Sequence, residues 1–320
     1  MTAEQRIAEV GSLEDLYAAL GGVEMTPGWI DRDEPILRPE PDTAFRPAHW
    51  RYAVARPALD AAGRLINTEL AERRNLVMRN PAEPDGIATT RTLVSAYQMI
   101  LPGEKARSHR HAPHALRVII EAEGAYSTVD GIKTPMETGD IVLTPGWQWH
   151  GHGHDGDAPA YWFDGLDVPL VQLLEPMFVE DHPDGFEEVE LVTEDSPLRF
   201  SWDGLQRALD AAEPDPEGVE GTRIRLDAPD MPSMALDVHR FEAGSATRPV
   251  RSTTNAIFCV MQGRGTTTID GEAISWERGD TFAGPMWRSV AHSVDEDAVV
   301  FRMTDEPLMK FAKYYRRELV

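Results

Sequence analysis

Residues 109 to 131 read HRHAPHALRVIIEAEGAYSTVDG: three histidines within six residues, then an apolar run and a Gly turn. Successive side chains of a strand point to opposite faces, so His109 and His111 project together while Arg110 faces the other way. After two more strands and a turn at Pro145-Gly146 comes His150, with His152 and His154 alternating behind it. In a small barrel the strand carrying His150 lies beside the one carrying His109 and His111, which closes a face of three nitrogen donors. A lone His-x-His is commonly a pair of surface or core histidines. Followed by Gly139-x5-Pro145-x4-His150 in a β context, it points to a metal site. His114 is then a bystander.

The texture around this stretch, from Thr89 onward, is strands separated by Gly, Pro and Asp turns, which predicts an all-β barrel or sandwich. The unit occurs twice. Gly124-Ala-Tyr-Ser-Thr-Val-Asp-Gly131, Gly139-Asp140 and Pro145-Gly-Trp147 recur about 140 residues later as Gly265-Thr-Thr-Thr-Ile-Asp-Gly271, Gly279-Asp280 and Pro285-Met-Trp287. Residues 1–85 read as a helical arm, with one helix opening at Ser12 and ending at Gly21-Gly22 and another over Ala58 to Glu72. Residues 86–180 hold the first β unit and 231–320 the second. The stretch between, 181–230, is an acidic connector with one strand (Glu188 to Val192), and Glu213-Pro-Asp-Pro-Glu-Gly218 breaks any helix begun at Trp202. Pro307 begins a C-terminal helix with a stripe of Leu308, Phe311, Tyr315 and Leu319.

Composition narrows the partners. Of 320 residues, 31 are Lys or Arg and 54 Asp or Glu, and the net charge of -23 disfavours nucleic acid and anionic membranes. A small anionic ligand must therefore be held by arginines gathered at the site. Cys259, the single cysteine, excludes an internal disulfide and lies in a strand-like stretch, where a packed thiol is expected. No signal-peptide core and no apolar run of roughly 18 residues is present, so a cytoplasmic location is expected.

The histidine pattern resembles the cupin motif pair, in which a glycine (Gly103) leads into His-x-His and the second motif ends in a His after Pro and Gly. The glutamate that cupins usually add is missing, its places being taken by Ala115 and Leu116. Pro113 fills the position where zinc hydrolases with an HxHxDH motif need an aspartate. Three neutral imidazoles leave a divalent ion its full charge and several open positions, which a salicylate-like carboxylate and phenolic oxygen can fill. Iron suits the oxidation of such a ring better than zinc, which has no redox chemistry.

A wider set of residues, His109-Arg-His111, Ala115-Leu-Arg117, Glu123-Gly-Ala-Tyr126, Gly139-Asp140, Thr144-Pro145, Trp147-x-Trp149-His150-x-His152-Gly153 and Trp162-x-Asp164-Gly-Leu-Asp167-x-Pro169, resembles the gentisate 1,2-dioxygenase family, which includes salicylate and 1-hydroxy-2-naphthoate dioxygenases. The resemblance implies an all-β bicupin with a helical N-terminal arm and a C-terminal helix, forming a homo-oligomer, with a tetramer favoured. It implies that Fe(II) and O2 split the ring between the carboxyl-bearing and hydroxyl-bearing carbons of a small aromatic acid. Carried over by position, His109, His111 and His150 match the iron ligands, while Gln98, Arg117, His152, Asp164 and Arg73 or its neighbour Arg74 match the residues lining the substrate and oxygen pocket.

His154 stands where Asn is common in the family and Val94 where Trp is often found, so the ring substituent is open. Gentisate is expected first, ahead of salicylates with nitro, chloro or amino at position 5 and of 1-hydroxy-2-naphthoate. In the second unit the ligand positions fall at Pro249, Arg251 and Val290, predicting a metal-free barrel with His239 and His292 structural. Two rival readings remain: a bicupin that binds a small aromatic acid without catalysis, and a metal-dependent hydrolase or isomerase that needs no oxygen.

Overall fold

The computed structural model describes residues 2–29, 37–67 and 73–320. The residues up to Pro41 form one unit, with helices Ala3–Ala8 and Leu13–Gly21. Thr2 and Ser12 start them by accepting the backbone N–H groups of Gln5 and Asp15, which a helix start leaves without partners. The helix expected from Ser12 is present.

Asp42–Val320 is the second compact unit and holds both β repeats. In the first repeat, one six-stranded sheet orders Arg199–Phe200, Ile141–Thr144, Ala115–Glu121, Ala160–Leu166, Val94–Ile100 and Arg74–Val77. The other orders Val179–Asp181, Lys105–His111, His150–His154, Ala125–Val129, Ile132–Met136 and Leu191–Val192. The second repeat is a single nine-stranded sheet in which Ala256–Ile269 and Val290–Thr304 are each long enough to serve both halves. Alternation divides the central strands between two cores. On the outer face, Tyr97, Met99, Val118 and Phe163 of the first repeat pack with Val238, Ile257, Phe301 and Met303 of the second in one buried cluster. Cys259 belongs to it, fully buried, its thiol pushed up by burial to about 12, which makes it a packing residue. On the inner face of the first repeat, Ile100, Ile119, Met136, Val142 and Trp162 form an apolar floor.

The repeated Gly-Asp has a structural role. Asp140 accepts the backbone N–H of Trp202 and an Arg199 N–H, at 2.9 and 2.7 Å; Asp280 accepts the backbone N–H of Tyr52 at 2.8 Å and pairs with His49 at 2.9 Å. Tyr52 and Trp202 are the first residues of helices Tyr52–Leu65 and Trp202–Ala211, so each aspartate meets the positive end of a helix from elsewhere in the chain. The preceding glycines have φ of 91° and 90°, and a Cβ on either would strike the Trp202 or Tyr52 ring. Strands enter the same way: Ala48–Trp50 pairs with Thr281–Gly284, and Arg199–Phe200 with Ile141–Thr144. A strand and helix from the arm thus complete the second repeat, and a strand and helix from the connector complete the first.

Three expectations change. The helix expected over Ala58 to Glu72 runs Tyr52–Leu65, because Asp280 fixes its start; residues 68–72 lie outside the described residues. The connector is more than a solvated link. Leu205 and Leu209 of its helix are in the shared core, and its expected strand is only Leu191–Val192. The C-terminal helix is Glu306–Phe311; Lys313 turns the chain at φ 61°, and Arg317–Leu319 pairs with Val250–Ser252. Leu319 therefore lies in a strand, Phe311 is exposed, and the expected stripe does not form. Among the described residues no helix is long and apolar enough to cross a membrane.

Asp140→Ala strips a buried carboxylate from a helix start and the Arg199 guanidinium, and Asp280→Ala strips one from a helix start and the His49 ring. Each is expected to lower stability by about 3 kcal/mol, read as a fall in the urea midpoint. Midpoints within error of wild type would contradict this role.

Candidate metal centre

Strands Lys105–His111 and His150–His154 pair antiparallel, with Ala106 opposite His152 and His109 opposite His150. Between these pairs the register shifts: Arg107 and Ser108 face Gly151 alone, a β-bulge. Ala106 opposes the inward His152, so regular alternation would turn Ser108 and Arg110 inward too. The extra residue flips the face, and His109 and His111 point in instead. Connector residues hold the bulge. Ser108 N–H donates to Gly185 O, Ser108 O accepts from His182 N, its hydroxyl accepts from Glu187 N, and Val179–Asp181 pairs with His109–His111. On the outer face the Arg110 guanidinium sits 4.5 Å from the rings of both Trp147 and Trp149 and pairs with Glu180 at 2.6 Å.

The His109 and His150 ring centroids lie 4.5 Å apart, those of His111 and His150 4.7 Å, and one ring nitrogen of each of the three lies within 4.8 Å of the others. Each Nδ1 contacts a backbone carbonyl: Arg107 O at 3.3 Å for His109, Pro113 O at 2.7 Å for His111, Gln148 O at 3.0 Å for His150. A carbonyl only accepts, so each Nδ1 carries the hydrogen and each Nε2 is a lone pair. Burial, then the charge of Arg73 and the neighbouring imidazole, brings His109 down to about 3. Burial also lowers His111, and it holds His150 well below the ordinary range, with Arg117 next. Three neutral imidazoles presenting lone pairs to one buried point fit a divalent cation; the buried His150 Nε2 has no hydrogen-bond partner.

A charged layer lies beside the triad. Asp164 opposes Arg117 across two strands, its Oδ1 3.5 Å from Arg117 Nε, while its Oδ2 accepts from Gln98 Nε2 at 2.7 Å. Arg117 also donates to Thr144 Oγ1 at 2.6 Å. Burial lowers Arg117 to about 10, so it stays charged at neutral pH, and burial raises Asp164 against the pull of that arginine. His152 is neutral, pressed well below its ordinary value by burial, Arg117 and Arg73. Both His152 ring nitrogens, Gln98 Oε1, Arg117 Nε, Asp164 Oδ1 and Trp162 Nε1 are buried without hydrogen-bond partners. Such a concentration of unmet donors and acceptors is the mark of a ligand site.

Register separates the two arginines. Asn75 opposes Gln98, so Arg73 shares the inward face of its strand end while Arg74, opposite Met99, lies on the other. Arg74 is taken up there by Glu104 and Ile66 O, which corrects its inclusion among pocket residues. A buried Arg73 Nη has no hydrogen-bond partner, and Arg73 charge acts on His109, His111 and His152. His154 is satisfied by Ala158 O and Gly156 N, and His114 Nδ1 accepts from Gly146 N at 2.8 Å; both brace turns. Trp162 and Thr144 carry site contacts that sequence reasoning gave no role, although both stand in the family-like string.

A cupin-domain family model matches residues 96–168. The chain is 31% identical to a gentisate 1,2-dioxygenase of Aquipseudomonas alcaligenes, over 99% of each chain. It is 32% identical to a 5-aminosalicylate 1,2-dioxygenase of Comamonas sp, covering 96% of this chain and 90% of that one. Among solved structures, a variant salicylate 1,2-dioxygenase of Pseudoaminobacter salicylatoxidans in complex with gentisate superposes with a TM-score of 0.87 at 26% identity, covering 100% of this chain and 98% of that one. The chain belongs to the gentisate 1,2-dioxygenase family.

In this gentisate dioxygenase family member, a bicupin, the second repeat departs from the expected alignment. Val250 opposes Val290 as His109 opposes His150, and Ser252 O accepts from Trp287 N as His111 O accepts from Trp147 N. Arg251 pairs with Glu318 and lies over Trp287, which makes it the counterpart of Arg110. The ligand positions are therefore Val250, Ser252 and Val290, in place of Pro249, Arg251 and Val290. The hairpin string beginning at Gly124 has one residue more than its repeat at Gly265, so a fixed offset slips by one on the strands before it. None of the three is an imidazole.

His150→Ala is expected to bring bound metal below about a tenth of an equivalent per chain, while Arg74→Gln leaves it unchanged, measured by elemental analysis. A second outcome follows from burial in the second repeat, where His239 is lowered to about 4 by burial and then Arg302, and His292 to about 3 by burial and then the neighbouring His239 ring. Unfolded, each titrates near 6.5, so the unfolded state takes up protons that the folded state refuses as pH falls below that value. The urea midpoint should fall between pH 6.5 and about 4.5, above most carboxylate titration, and His292→Asn should flatten the slope. A flat wild-type profile would contradict it.

Proposed function

We propose that this protein is an Fe(II)-dependent dioxygenase that cleaves the ring of gentisate, or of a closely related 5-substituted salicylate, between its carboxyl-bearing and hydroxyl-bearing carbons. One observation carries the reading: three neutral imidazoles converge on one point, with no carboxylate joining them among the described residues, beside an arginine-rich layer of unmet polar atoms. A donor set without charge favours a substrate that brings its own anionic oxygens. The gentisate held by the structurally similar salicylate dioxygenase supports the same class. A ferrous ion held by His109, His111 and His150 would supply the oxygen chemistry that zinc lacks.

The chain's own groups divide the remaining work. Arg117, fixed by Thr144 and Asp164, offers Nε to a carboxylate or phenolate oxygen in a buried setting where such a bond is strong. Arg73 adds a second positive group at the mouth. Gln98, its amide nitrogen spent on Asp164, turns Oε1 toward a hydroxyl that can donate. His152 is held neutral first by burial and then by Arg117 and Arg73, so it meets the substrate as an uncharged imidazole that can accept a hydrogen bond from the phenolic hydroxyl. The apolar floor of Trp162, Ile119 and Val142 excludes water below the ring. Salicylate, 5-nitrosalicylate and 1-hydroxy-2-naphthoate are the alternative substrates. A homo-oligomer, with a tetramer as the expected state, is supported by exposed Val179, Leu191 and Val192 on the outermost strands and by exposed Phe178 just before the first of them.

Protein loaded anaerobically with Fe(II) should consume one O2 per gentisate and less readily oxidise other salicylates, followed by oxygen electrode. Arg117→Met should cut kcat/KM by about 100-fold, the worth of a buried charged hydrogen bond. No uptake with any 2-hydroxybenzoate tried would reject the proposal.

A further inference from the structure

The second repeat keeps a cavity where the first keeps its triad. It is lined by Val250, Ser252, Val290 and His292, counterparts of His109, His111, His150 and His152, and by Phe258, Arg302 and Glu220. About 70 Å³ is open to the centre of a water-sized body, several times what one water needs. A neighbouring cavity of about 420 Å³ shares Glu220, Glu306, Tyr315 and Arg317 with its lining. Phe258 occupies the place of Arg117 and Arg302 that of Asp164, as their strand pairing shows. The metal donors have gone, yet apolar side chains have not filled the space.

Its polar atoms form a defined pattern. Arg302 is held by Glu220 at 3.0 Å and Asp237 at 2.9 Å, and its buried Nε has no hydrogen-bond partner. Glu220 takes an Arg302 hydrogen on Oε1 at 3.2 Å, and its Oε2 lies 3.0 Å from Arg302 and 3.5 Å from His239 Nδ1 with no aligned hydrogen bond. For His292, a chain of bonds sets the tautomer. Trp276 Nε1, which can only donate, gives its hydrogen to Thr267 Oγ1 at 2.8 Å, and the Thr267 hydroxyl lies 2.8 Å from His292 Nδ1. Thr267 is buried with His292 as the acceptor for its own hydrogen, so Nδ1 accepts and Nε2 carries the hydrogen. The cavity therefore offers two donors, Arg302 Nε and His292 Nε2, and a carboxylate oxygen, Glu220 Oε2, that is ion-paired yet keeps a lone pair for a further hydrogen, beside the walls of Phe258, Val250 and Val290.

We propose that the second repeat is a metal-independent binding site for a small hydroxy-substituted monocarboxylic acid, no larger than a single ring. The carboxylate takes the hydrogens of Arg302 and His292, the hydroxyl gives its hydrogen to Glu220, and the hydrocarbon lies against Phe258 and the two valines. Glu220 and Glu306 line the same wall and select against a second negative charge. The site is independent of the chemistry proposed for the first repeat.

The test is calorimetric titration of the iron-loaded protein under nitrogen with salicylate, comparing wild type with Val250→Phe and Ser252→Phe, which fill the cavity and leave the triad intact. The filled variants should bind one equivalent fewer per chain while retaining oxygen uptake, and benzoate, which lacks the hydroxyl, should bind this site at least about ten-fold more weakly. Equal stoichiometry in wild type and in a folded filled variant overturns the proposal. Should both variants fail to fold, wild-type crystals soaked in 5-bromosalicylate decide it: a bromine peak beside Phe258 supports the site and its absence overturns it. Binding is read without turnover, so failure here is distinct from failure of the dioxygenase reading.

Discussion

Three lone pairs aimed at one another inside a protein are an unfavourable arrangement unless a cation lies between them. That constraint organises the first repeat. Each imidazole gives its Nδ1 hydrogen to a carbonyl of its own strand or turn, so none can relieve the conflict by changing tautomer without losing a hydrogen bond. Burial keeps all three neutral, which removes protonation as an escape near pH 7. The outer face resists rotation of the strand, with Arg110 clamped between two tryptophans and paired to Glu180. Neutral donors in turn leave the metal's charge for the ligand to balance, which is why an arginine-bearing layer beside the triad is chemically coherent in a chain of net charge -23.

The same architecture carries two different interiors. In the first, the charged pair beside the triad is Arg117 and Asp164, 3.5 Å apart, each with a buried atom that has no hydrogen-bond partner. In the second, Phe258 and Phe282 stack with centroids 4.7 Å apart where the first has Arg117 and Val142, and the buried charge moves to Arg302, Glu220 and Asp237. Both repeats are completed by an exchanged strand and helix docked on a Gly-Asp pair, so neither interior is independent of distant chain. The bulge that points His109 and His111 inward is likewise held by residues 182–187, far along the sequence.

Much of this was legible in the sequence where one side chain's chemistry coincides with the period of a strand. His109, His111 and His150 needed only alternation and one pairing, and the repeat stood out through its turn glycines. The bulge at Arg107 and Ser108 was not legible, because its partners lie in a connector whose acidity reads as solvated surface. The exchanged elements were hidden for a related reason: His49 and Arg199, or Tyr52 and Trp202, do the same work with different side chains. A uniform offset misplaced Val250 and Ser252 because one hairpin is longer by a residue. Arg73 and Arg74 are equivalent in composition and are told apart only by the register of Asn75 against Gln98.

The most direct measurement is diffraction from iron-loaded crystals at energies on either side of the iron absorption edge. The account predicts one anomalous peak per chain, within bonding distance of Nε2 of His109, His111 and His150. A peak in the second repeat, or an ion bound through Nδ1 or through a carboxylate, would contradict it.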